Sequence, residues 1–93
     1  MTASRSKSST ERGFDEEVGR RITLLRRQQR LTQRKLAKSV GISTARLYGY
    51  EVGDVRCPPI YLRKISDVLR VPVGYLIPEV QEIQDYLKLP AKC

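Results

Sequence analysis

Two glycines constrain this chain more than any other feature. Gly41 and Gly53 each follow a short, helically patterned stretch, and glycine is the residue that most easily ends a helix in the left-handed conformation. Thr32 and Ser43 each offer a hydroxyl that can accept a backbone N–H at a helix start. The spacing therefore predicts helices over about Gln33–Ser39 and Thr44–Glu51, joined by a tight turn. Lys35 stands three residues after Thr32, so no reciprocal capping box forms there. Helices this short are not stable alone, and the rest of the chain must supply elements for them to pack against.

Those elements are legible on both sides. Val18, Ile22 and Leu25 fall on one helical face and predict a helix over about Glu16–Gln29, with Arg20, Arg21, Arg26, Arg27 and Arg30 around them. Cys57-Pro58-Pro59 breaks any continuing helix, after which Leu62, Ile65 and Leu69 predict a helix over about Ile60–Leu69. Val71-Pro72-Val73 leads into a short helix ending at Ile77, before Pro78, with Val73, Leu76 and Ile77 covering the core. Beyond it, Val80, Ile83 and Leu87 share one face, with Glu79, Glu82 and Asp85 outside it, as in a short C-terminal helix. Met1 to Thr10 is rich in serine and nearly devoid of apolar side chains, the composition of a flexible arm. The expected fold is all-α, a five-helix domain over 14–78, preceded by an arm over 1–13 and followed by a tail over 79–93.

Composition then narrows the function classes. Ninety-three residues make one small domain, and histidine is absent. No serine or cysteine has an evident base partner, no glycine-rich phosphate loop is present, and Cys57 and Cys93 lack metal-ligand spacing. The chain is therefore expected to be no enzyme and to hold no metal or cofactor. No apolar run reaches membrane-spanning length and no signal-peptide pattern opens the chain, so a cytoplasmic protein without membrane association is expected. The net charge of +8 is uneven: residues 16–57 hold ten basic and four acidic side chains, hence +6, while the segments before and after hold +1 each. Charge gathered on one part of the fold suits a polyanion.

The informative unit is Gln33-Arg34-Lys35-Leu36-Ala37-Lys38-Ser39-Val40-Gly41-Ile42-Ser43, continuing through Leu47 and Tyr50. Ala37 is small where the two short helices meet, Gly41 makes the turn, Ile42 plugs the core beneath it, and Leu47 and Tyr50 anchor the second helix. With Val18-Gly-Arg-Arg-Ile22, Leu31-Thr32, Tyr50-Glu-Val-Gly53 and Ile65-Ser-Asp-Val-Leu-Arg-Val-Pro-Val73, the stretch from Val18 to Ile77 resembles the Cro and lambda-repressor-like (XRE-type) helix-turn-helix family.

The resemblance implies a sequence-specific double-stranded DNA-binding transcription regulator, a repressor acting as a homodimer on a palindromic operator. It carries base reading to Thr44, Ala45, Arg46 and Gly49 and a phosphate contact to Gln33; Arg34, Lys35, Lys38 and Arg56, as cations flanking the groove, and Ser43 and Tyr48 are further phosphate candidates. It also carries a structural ion pair to Arg26 and Glu51. Thr44, Ala45 and Gly49 depart from the Gln or Arg common in the family, and their side chains offer little beyond van der Waals contact to a thymine methyl. Arg46 can bind guanine with two hydrogen bonds or hold a phosphate. Gly49 either lets backbone approach DNA or is simply tolerated. The Val80, Ile83, Leu87 face either joins two copies or folds back on its own domain. Two alternatives remain: an antitoxin-like module whose C-terminal segment binds a partner protein, and a nonspecific architectural DNA binder.

Overall fold

The computed structural model describes residues 9–78. Four α-helices, α1 (Ser9–Gln28), α2 (Gln33–Val40), α3 (Thr44–Val52) and α4 (Pro59–Leu69), precede a 3-10 turn over Val73–Tyr75. No strand occurs among the described residues.

Local chemistry sets the ends of the two short helices. The Thr32 hydroxyl accepts from the Lys35 amide and the Ser43 hydroxyl from the Arg46 amide, each at 3.0 Å. Gly41 and Gly53 close the same helices with φ of 89° and 85°. α1 and α4 end instead beside arginines, Arg30 and Arg70, that adopt the left-handed region with φ of 59° and 62°. α4 starts on Pro59, where a missing N–H costs nothing because that position has no intrahelical acceptor.

The elements meet in one core. Val18 and Ile22 of α1, Leu36, Ala37 and Val40 of α2, Leu47 and Tyr50 of α3, and Leu62, Ile65 and Leu69 of α4 are buried together, with Leu76 beneath the 3-10 turn. Each fully buried large apolar side chain contributes about 1.5–3 kcal/mol relative to an exposed one. Ile42 packs on this core from the turn. Cys57 is a free, buried thiol, and burial pushes its pKa up to about 12.

α1 crosses α3 at Gly19, where a Cβ would lie 2.2 Å from the Glu51 carbonyl oxygen. Only glycine allows that approach. Gly53 is doubly required, since its positive φ coincides with a site where a Cβ would lie 2.7 Å from the Glu16 Cα. Gly41, by contrast, faces open space.

Three details differ from the sequence reading. α1 begins at Ser9, not near Glu16, so residues 9–13, read as part of the arm, are helical. Phe14 packs against the core, and buried Asp15 accepts a hydrogen bond from Arg56 Nε at 2.9 Å, tertiary contacts that extend the helix through a serine- and glycine-containing stretch. The helix expected before Pro78 is a single 3-10 turn, so the fifth helical element is not an α-helix. Leu76, just after the turn, is buried, but Val73 within it is turned outward. The proposed arm residues 1–8 and the C-terminal segment 79–93, including Val80, Ile83 and Leu87, lie outside the described residues.

Candidate nucleic-acid interface

α3 is fixed from one side by a buried carboxylate. Glu51 stands in its last turn, and Arg26 of α1 donates to it twice, Nε to Oε2 at 2.8 Å and Nη2 to Oε1 at 3.1 Å. Oε1 also accepts from Thr23 Oγ1 at 3.0 Å and from Gln33 Nε2 at 2.9 Å. The remaining Arg26 nitrogen, Nη1, donates to the Leu31 carbonyl at 2.8 Å. Both ends of the ion pair are almost wholly buried, with side-chain exposures of 9% and 3%. A buried pair of this kind holds elements together because leaving either charge alone is costly. Here it ties α1, the turn after α1, the start of α2 and the end of α3.

The opposite side of α3 is open. Thr44, Ala45, Arg46 and Tyr48 are exposed, while Leu47, Tyr50 and Glu51 face inward. Gly49 is half-buried: a Cβ there would lie 3.3 Å from Val55 Cγ2, and its carbonyl accepts from the Asp54 and Val55 amides. The following loop thus folds over this glycine. The Arg46 guanidinium turns back along the helix and donates to the Tyr50 hydroxyl at 3.4 Å, a contact that raises its already high pKa.

Apart from exposed Tyr48, the expected phosphate contacts divide into two sets. Arg34, Lys35 and Lys38 project from α2 as exposed cations on the element next to α3. Gln33, Ser43 and Arg56 already have intramolecular partners: Gln33 donates to Glu51, Ser43 caps α3, and Arg56 pairs with Asp15 while its guanidinium carbon lies 5.1 Å from the Phe14 ring centre. Arg56 keeps about half its side chain exposed despite that pairing.

Several participants were not singled out in the sequence. Thr23, which completes the Glu51 cluster, gives no sign of its role in isolation. Gly19 does, since a glycine inside a helical pattern points to a close backbone approach. Val52, which shares a crevice with Thr23 and Leu24 of α1, and Val55, which lies against Gly49, are also exposed.

The helix-turn-helix family profile matches residues 22–76. An uncharacterized HTH-type transcriptional regulator of Sinorhizobium medicae (strain WSM419) is 39% identical over 62 residues, covering 67% of this chain and 45% of the relative. The match thus spans less than half of that longer protein. Among solved structures, the P22 c2 repressor protein in complex with synthetic operator 9T aligns with a TM-score of 0.63 and 26% identity, over 66% of this chain and 92% of its own. The hydroxypropylphosphonic acid epoxidase from S. wedmorenis aligns with a TM-score of 0.67 at 20% identity, over 72% of this chain but 36% of the epoxidase, a likeness of fold alone.

Proposed function

The chain belongs to the Cro and lambda-repressor-like (XRE-type) helix-turn-helix family of DNA-binding transcription regulators, and on that premise we propose that it is a sequence-specific repressor reading the major groove with α3. The carrying observation is the two-sided construction of α3, clamped through Glu51 on its inner side and exposed from Thr44 to Tyr48 on its outer side. A helix entering a groove must be rigid and uncovered, and it needs cations nearby for the flanking phosphates. Arg34, Lys35 and Lys38 meet the last requirement, with Gln33, Ser43, Tyr48 and Arg56 as further phosphate contacts. Arg46 is the strongest candidate for direct base reading, because a guanidinium can engage guanine O6 and N7 together.

In this reading the protein is a cytoplasmic homodimer, not an enzyme, and places two copies of α3 in successive major grooves about 34 Å apart on a palindrome. The segment carrying Val80, Ile83 and Leu87 joins the copies. Competition binding tests the central claim: a duplex selected from random DNA should be preferred over unrelated duplexes by at least about a thousandfold. Comparable affinity for all duplexes would identify an architectural binder instead. Light scattering of the chain truncated after Pro78 tests the dimer, which should dissociate.

A further inference from the structure

Resting on the reading of Arg56 as a phosphate contact, we propose that Asp15 is a positioning residue for DNA binding, which fixes the Arg56 guanidinium in advance so that its terminal edge meets a backbone phosphate. Arg56 is held at both ends. Its main chain follows Asp54 and Val55, whose amides donate to the Gly49 carbonyl at 3.1 and 3.3 Å, and it precedes buried Cys57 and the pair Pro58-Pro59. Its side chain reaches back to α1, where Nε donates to Asp15 Oδ1 at 2.9 Å. The Asp15 side chain is only 2% exposed, so the acceptor is itself fixed in the fold. The guanidinium carbon lies over the Phe14 ring, 5.1 Å from its centre, and Phe14 in turn packs against the core.

The far edge of the guanidinium is left open. Among the described residues neither Nη1 nor Nη2 makes a hydrogen bond, and 52% of the side chain stays exposed. That edge carries parallel N–H groups, the geometry that grips two phosphate oxygens together. Burying a carboxylate to pair with a half-exposed arginine is a weak way to stabilise a fold, but a direct way to orient the arginine. Arg34, Lys35 and Lys38 on α2 are exposed and lose rotamer freedom only when they meet a phosphate. Arg56 loses it on folding. The two roles open to Asp15 have opposite signs: as a mere counter-charge it repels DNA and its removal tightens binding, whereas as an orienting group its removal weakens binding.

The test titrates the full chain with a duplex selected from random DNA and with an unrelated duplex, each over a range of salt. Arg56→Ala should weaken both alike and lower the slope of log K against log salt by about 0.9. Asp15→Ala should weaken both by about two- to tenfold, the cost of immobilising one long side chain on binding, with the slope unchanged. In an Arg56→Ala background the same substitution should cost nothing further in affinity, whatever it does to the melting temperature. Arg56→Lys keeps the charge at a half-exposed position but cannot serve Asp15 and a phosphate together. It should match the Asp15→Ala loss, and it carries the test if Asp15→Ala does not fold. Unchanged or tighter binding by Asp15→Ala, or undiminished binding by Arg56→Lys, overturns the inference and leaves Arg56 a simple phosphate contact. An Arg56→Ala variant with unaltered affinity and slope removes Arg56 from the interface and the inference with it. Equal affinity of the unsubstituted chain for the two duplexes overturns the sequence-specific reading alone.

Discussion

Helices α2 and α3 start and stop by the same devices, a hydroxyl cap and a left-handed glycine, and both bury their apolar residues in one core. Their outer sides have nothing in common. α2 exposes Arg34, Lys35 and Lys38; α3 exposes Thr44, Ala45 and Tyr48, with Arg46 at the edge. One scaffold geometry thus carries two kinds of surface. Cations bind any phosphate and supply affinity without information, whereas close-fitting neutral groups and one guanidinium discriminate among base edges. The division of labour is a matter of side chains, since the backbones are built alike.

The largest effect should come from severing what holds the two helices in register. Glu51→Ala strands Arg26 as a buried unpaired charge and removes the acceptor of Thr23 and Gln33. Denaturant titration should show a loss of about 3–5 kcal/mol, a large part of the about 5–15 kcal/mol typical of a folded domain. A loss below about 1 kcal/mol would mean the helices are held by apolar packing alone.

Arg46→Ala tests the reading side: about 1–3 kcal/mol of discrimination between the selected duplex and single-pair variants should vanish, measured by competition binding. Equal weakening on every duplex would move Arg46 to the phosphate side of the comparison.

Gly41→Ala sharpens the structural half. Its site is sterically open, so only the left-handed backbone penalises the change, by about 1–2 kcal/mol in thermal melts. Gly53→Ala should cost more, because the new Cβ also meets Glu16 backbone.

Lys38→Ala should have the smallest effect, a modest weakening that is the same for all sequences. The slope of log K against log salt should fall by about 0.9. Any change in sequence preference would break the proposed division.

Much of the scaffold was readable because its determinants are local. Thr32, Ser43, Gly41 and Gly53 act on amides within a few residues, and Leu62, Ile65 and Leu69 reveal a buried face by spacing alone. The start of α1 was not readable, since it depends on Asp15 meeting Arg56 and Phe14 reaching the core across the fold. The 3-10 turn after Pro72 likewise reflects packing over Leu76, which an apolar pattern of three residues cannot distinguish from an α-helical turn. At the interface, the family pattern supplied Arg26 and Glu51 but not Thr23, and the half-covered state of Gly49 depends on where Val55 lands.

Gly19 has a wider consequence. Because α1 seats against the main chain of α3 at Tyr50 and Glu51, the proposed recognition helix is docked by atoms common to every amino acid. Its outward positions 44, 45 and 48 can then vary without disturbing the seat. Such a frame can acquire new binding preferences by exchanging a handful of solvent-facing residues, leaving stability and target choice free to change separately.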